Sequence, residues 1–188
     1  MAKIGLNHFR YAKATVNATT GVVTYGGAQS PAKAISFQFT PTVSDAKLYA
    51  DDALAESDSR VTGGDVTMGI DKEDFETMAD LLGHTKDAGG EIIDNVNDTA
   101  PYVGLGRITR IMESGTQKFR ATVLSLVKFS EPSEDESTMG ESVEFGTYEI
   151  TGTMVIPANG KWRHRKVFDS EASALSYING LLGSSVTL

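Results

Sequence analysis

The sequence predicts a mainly β fold, a sandwich or barrel carrying two short flanking α-helices. Three observations point there. Several segments alternate apolar and polar residues, the period of a strand with one buried face; Ile35, Phe37 and Phe39 alternate with Ser36, Gln38 and Thr40. Two long β-rich runs, YVGLGRITRIME and KFRATVLSLVKFSEP, flank the turn ESGTQ, where Gly115 supplies the tight geometry. Two stretches carry a helical stripe, and most of the predicted strands lie between them.

Taken in order, residues 1–32 are small and polar and end in TYGGAQSP without firm periodicity. They are expected to form an N-terminal arm, or a hairpin ordered only against a partner, ahead of a domain over residues 33–188. AISFQFTP is the first half-buried strand, and Pro41, which has no N–H to donate, is expected to end it. KLYADD reads as a shorter strand and ALAESDSR as a polar loop. Alternation resumes through Val66, Met68 and Ile70, with a bulge or bend at Gly63 and Gly64.

DKEDFETMADLLGH is the clearest helix. Phe75, Met78, Ala79 and Leu82 form its stripe, Asp71 is placed to cap it and Gly83 to stop it. TKDAGGEIIDNVNDTAP is a loop, after which comes the long hairpin. Both faces of VLSLV are apolar, so the centre of that strand is expected to be covered on both sides. SEPSEDESTMGES is an acidic loop. In the strand after it, Tyr148, Ile150, Met154 and Ile156 share one face. KWRHRKVF is the last strand, and SEASALSYINGLLG a closing helix that buries Ala174, Leu175, Ile178, Leu181 and Leu182 and ends at Gly183. The expectation is about seven strands and two helices.

Composition narrows the function. The 188 residues contain no cysteine, which excludes disulfides, thiolate nucleophiles and cysteine-bound metals. With 25 acidic and 17 basic residues the formal charge is −8, against a phosphate-backbone binder; KWRHRK reads as one strand with exposed charges. No apolar run approaches the length that crosses a bilayer, and the first residues lack the apolar stretch of a secretory signal, which predicts a chain kept in the cytoplasm.

His8, His84 and His164 stand at no metal-ligand spacing, and G-L-G at Gly104–Gly106 lacks the third glycine and following helix of a nucleotide loop. No nucleophile elbow or phosphate-binding loop is present. The acidic cluster in KLYADDALAE is the remaining candidate for chemistry. Asp51 and Asp52 are adjacent, and adjacent strand residues point to opposite faces, so they do not converge on one substrate. They suit a contact surface better than a catalytic pair. No catalytic, cofactor or metal residues are therefore expected.

Read together, the segments carry a resemblance. LYADD follows an aromatic alternating strand, and VTGGDVTMGID leads into a helix ending LLG. A strand with GLGRI and one ending VKFSEPSEDEST come next, then YEITGTMVI, a turn, Trp162 and an alanine-rich helix. This order, over about Ile35 to Leu182, resembles the major tail protein family of long, flexible, non-contractile (siphovirus-type) bacteriophage tails. The resemblance implies a β-sandwich or barrel whose copies form hexameric rings stacked into a tail tube, the conduit for genome delivery. It implies a virion protein assembled in the host cytoplasm, with no enzymatic activity, no cofactor and no membrane insertion. Its implied partners are further copies of itself, a tape-measure protein, a tail-tip initiator, a terminator and DNA in transit. Leu48, Tyr49, Asp51 and Asp52 would then lie in or near a loop that meets the next ring. Two alternatives remain at this point: the tube protein of a contractile injection or type VI secretion machine, and a carbohydrate-binding β-sandwich, for which Trp162 is the one tryptophan.

Overall fold

The computed structural model describes residues 2–50, 53–72, 74–134 and 147–183, with residues 48–50 and 53–56 in backbone only. In chain order the elements are β1 (Ala2–Val16), β2 (Val23–Tyr25), β3 (Ala34–Ala50), β4 (Ala53–Ile70), α1 (Phe75–Leu82), β5 (Thr85–Lys86), β6 (Ile92–Ile93), β7 (Val103–Glu113), β8 (Thr116–Phe129), β9 (Tyr148–Val155), β10 (Arg163–Phe168) and α2 (Glu171–Leu181). The fold is mainly β with two short helices, as predicted. Seven strands form one antiparallel sheet in the order β2-β1-β7-β8-β9-β4-β3, and β10 adds to β8; β5 and β6 pair separately. Against the expected seven, β1, β2, β5 and β6 are additional, and AISFQFTP and KLYADD belong to the single strand β3.

The β7–β8 hairpin organises the rest. Ser114 and Gly115 both take positive φ, at 48° and 79°, which suits a two-residue turn between twisted strands. Along β8 the neighbour changes: Phe119–Leu124 pair with β10, whereas Val127–Phe129 pair with β9. The sheet curls onto itself, because one apolar cluster draws Phe9 and Tyr11 from β1, Met68 and Ile70 from β4, and Leu105, Leu124 and Ile150 from the middle strands. Phe9 and Phe37 meet across the curl, ring centroids 6.0 Å apart.

The outer face of the hairpin is covered by α2, whose Ala174, Ile178 and Leu182 pack on Ala12, Ile108, Ala121 and Val123. VLSLV is thus buried on both faces, as its sequence implies. The helix begins at Ser170, whose Oγ accepts the Ser173 N–H at 3.1 Å. Glu171 then takes the Asn7 amide at 2.7 Å and lies 3.1 Å from His8 Nε2, pinning the helix start to β1. Gly104 and Gly106 make the close approach possible: a Cβ on Gly106 would meet Ile178 Cγ2 at 2.4 Å. The G-L-G run is a seat for a helix.

Several expectations are corrected. Residues 1–32 are no separate arm: β1 pairs along β7, and Phe9 and Tyr11 are core residues. Register shifts between Lys3 and Gly5 and between Asn7 and Arg10, with His8 at φ 51°, break the alternation, so Leu6 and Phe9 reach the same core at a spacing of three. Pro41 does not end β3. That strand is the sheet's outermost, and a missing N–H is tolerated where no neighbour needs it. ALAESDSR is strand β4, not a loop, paired with β3 from Ala53 onward. The predicted break at Gly63 holds: Thr42 pairs with Gly63 but Val43 with Val61, leaving Thr62 as the extra residue.

In α1, Gly83 is the left-handed stop at φ 85°, as predicted, but the helix starts at Asp74. Asp71 instead accepts the Lys33 N–H at 2.9 Å. Phe75, in the first turn, is 68% exposed, and Leu81 takes its place in the core. Tyr148 likewise stands largely exposed while Ile150 and Met154 on the same strand are buried. The acidic segment from Asp135 to Gly146 lies outside the described residues.

Two predictions follow from this packing. Gly106→Ala should cost about 1–3 kcal/mol in urea unfolding by driving a methyl into Ile178; wild-type stability would refute the seat.

The second concerns His84, whose side chain is 8% exposed. Its Nδ1 lies 2.9 Å from Asp98 and 3.5 Å from Asp94, and its Nε2 2.7 Å from Glu131. The Asp98 hydrogen bond raises the His84 pKa, burial opposes it, and Asp94 and Glu131 add to it. A raised pKa stabilises the fold fully below the unfolded value of about 6.5 and loses that contribution as pH climbs through the folded value. Wild type should therefore lose stability relative to His84→Gln as pH rises from about 6.5 through the folded value. Parallel unfolding curves across that window would contradict the assignment.

Candidate functional site

The β3–β4 pair is two structures in one. From Gly63 to Ile70, β4 has β9 on its other side; beyond Gly63 toward the tip, it has β3 alone. A two-stranded ribbon therefore leaves the sheet, and eight residues at about 3.3 Å each carry it roughly 26 Å outward. Its described side chains at residues 43–47, 57–60 and 62 are exposed, and only Val61, at its base, is half-buried against the core. Asp45, Lys47, Asp58 and Arg60 give it mixed charge, and Arg60 Nε meets Asp58 at 2.7 Å. Beyond Val61, the described side chains bury neither face, and a two-stranded hairpin of that kind is marginal in water. Its length makes sense against another surface.

The residues singled out in the sequence fall at its end. Leu48 and Tyr49 belong to β3, where their backbone pairs with Glu56 and Leu54, with a register shift between them. Asp51 and Asp52 lie outside the described residues. The backbone brings Leu48, Tyr49, Leu54 and Glu56 together near the tip.

A second feature was not anticipated. KWRHRK is more than a strand of exposed charges: β10 turns Arg163 and Arg165 to the inner face of the curl, opposite Leu124 and Thr122 of β8. Arg107 of β7 also pairs with Thr122, and Thr109 with Arg120. Arg107, Thr122 and Arg165 thus form one row across three strands, with Arg120 and Arg163 beside it. Together with Lys3, Phe37 and Phe39 they line an open cleft of about 460 Å³. The signal was in the phase of the strands, since Arg107 stands two residues after buried Leu105 and Arg120 four before Leu124.

The electrostatics of this cleft are one-sided. Among the described residues, none that lines it is acidic. Among the described residues, the arginines with carboxylate partners are Arg60 and Arg110, neither of which lines it. Burial, then the charges of Arg120, Arg163 and Arg165, pull Arg107 down to about 9, so it is still a cation at neutral pH. Arg163 is lowered too, by burial first and then Arg165 and Arg120.

Aromatic faces supply part of the compensation. The Arg107 guanidinium lies 3.6 Å from the Phe37 ring centroid, and that of Arg163 lies 4.2 Å from Trp162. Trp162 is itself packed against Phe39, centroids 5.8 Å apart. Hydrogen bonding does not complete the set: Arg107 Nη1, Arg120 Nε and Thr122 Oγ1 are buried without a partner among the described residues.

Like charges held together without a counterion oppose folding. Arg107→Met keeps most of the volume and removes one of them, so it should stabilise the isolated chain by about 1 kcal/mol at low salt. Calorimetry of the two chains tests this, and a less stable Arg107→Met chain would count against the repulsion. Compared with known proteins, the chain matches no family model and no curated sequence, so the reading of these surfaces rests on their geometry.

Proposed function

We propose that the chain is a structural, self-assembling subunit of a bacteriophage tail tube, acting in the virion as stacked hexameric rings through which the genome passes. The observation that carries this reading is the projecting β3–β4 ribbon, exposed on its described faces and extending well past the sheet that supports it. A ribbon of this kind lets one copy touch the next at a distance.

Two further features support it. The outer edges of β3 and β10 face no other named strand among the described residues, so backbone groups there can pair between copies. Head-to-tail contacts that close by rotation give rings, and contacts that do not close give columns; many weak repeats then hold a tube. On this reading Leu48, Tyr49, Asp51 and Asp52 touch the adjacent ring. A tape-measure protein, a tip initiator and a terminator would set the length of the column, and the chain itself performs no bond-breaking step.

Negative-stain electron microscopy of the purified protein tests the proposal, with tubes or six-membered rings as the expected result. A variant joining Asp45 to Ser59 through Asn-Gly, so that the ribbon tip is lost, should keep the far-ultraviolet spectrum of the sheet yet form no tubes. Wild-type tubes from the shortened chain would overturn the role given to the ribbon.

A further inference from the structure

The arginine cleft has a physical problem that a ligand would solve. Among the described residues, four guanidiniums and Lys3 converge without an acidic lining residue, and buried donors on Arg107 and Arg120 have no acceptor. Arginine forks match carboxylate and phosphate oxygens, so the missing group is an anion.

The rest of the sequence points to its source. Between Lys128 and Lys161 there is no basic residue, and residues 131–144 carry Glu131, Glu134, Asp135, Glu136, Glu141 and Glu144. This is the longest acidic stretch uninterrupted by a basic residue in a chain whose net charge is −8. Copies that each carry −8 repel, so their association needs a place where opposite charges meet. The cleft is the concentrated cationic surface among the described residues, and the segment is its chemical complement. The first carboxylate, Glu131, is already engaged by His84, in a place that shares no lining residue with the cleft.

We infer that the Arg107–Arg120–Arg163–Arg165 cleft is a docking site for the acidic 131–144 segment of a neighbouring copy. The inference rests on the assembly reading above and names the charge pair that drives it. Thr122 and the arginine donors take up carboxylate oxygens, and the aromatic wall of Phe37 and Phe39 shields the pair from water. Docking one copy's segment in the next copy's cleft is a head-to-tail contact, so every subunit both gives and receives.

Charge reversal tests it. Arg163 and Arg165 are the less buried pair, so Arg163→Glu with Arg165→Glu alters the cleft with little disturbance of the core, and Arg163→Lys with Arg165→Lys keeps the charge. Glu134→Lys with Asp135→Lys and Glu136→Lys reverses the charged centre of the segment and brings its total charge to zero. Each reversal alone should weaken self-association by about tenfold or more in sedimentation, while the lysine-for-arginine chain retains most of it. Mixing the cleft-reversed and segment-reversed chains in equal amounts should restore association, because each then offers what the other lacks.

Three results would overturn the inference, and a fourth would uphold it against the tube reading. If mixing fails but one chain carrying both reversals associates normally, the segment docks in its own chain. If a fluorescent single-stranded oligonucleotide binds the wild-type chain through Arg163 and Arg165 while a peptide of residues 130–146 does not, the cleft takes phosphates. If wild-type tubes form and neither reversal affects them, the charge pair is wrong although the tube reading stands. If mixing restores association but only closed oligomers form, the pair stands and the tube reading falls.

Discussion

The curl of one antiparallel sheet around a shared core is the constraint on which the rest depends. β8 has to serve two faces and two neighbours: its inner face meets the core shared with β1 and β4, and its outer face meets α2. Because β10 takes one end of it and β9 the other, the sheet divides there. That division leaves the inner face of β10 looking into the curl instead of into a closed core. The space is filled by arginines, and their stems and planar heads pack on aromatic rings as apolar side chains would. Backbone pairing thus decides where charge can stand.

The distribution of charge gives the molecule a polarity that its net value conceals. A chain with an excess of acids keeps its described cationic concentration in one concave place and its longest acidic stretch free of basic residues in one connecting segment. Concave placement matters, because a guanidinium in a recess is less screened by salt than one on an open surface. The outer face of β10 is different: His164 and Lys166 alternate with the inward arginines, and Lys166 sits over the rings of Phe168 and Tyr177 beside α2. One short strand therefore serves a recess on one side and a helix packing on the other.

How much of this was legible in the sequence depended on how regular each strand is. The β7–β8 hairpin, both helices and the glycine break at Gly63 were legible, because their periods run uninterrupted between clear turn signals. β1 was not: two bulges shift its register, and a period-two search loses phase at His8. The ribbon was misread as strand and loop for the opposite reason, since residues 57–60, exposed on both faces, show no apolar alternation to detect. The cleft is a property of pairing between strands distant in the chain. Arg107, Arg120, Arg163 and Arg165 become neighbours only once the registers of β7, β8 and β10 are fixed, and no local window contains that information.

Pro41 gives the open border of the sheet a built-in interruption. It lies near the middle of β3, the outermost strand, opposite Gly64. An incoming strand seeking an unbroken run of donors would find one missing there, so it can dock along the stretch before the proline or along the ribbon after it, but not across both with a full ladder. A long exposed border that would otherwise invite indiscriminate fibre growth is thereby cut into two short recognition segments, and the ring imide acts as a gatekeeper on which foreign backbone the subunit admits.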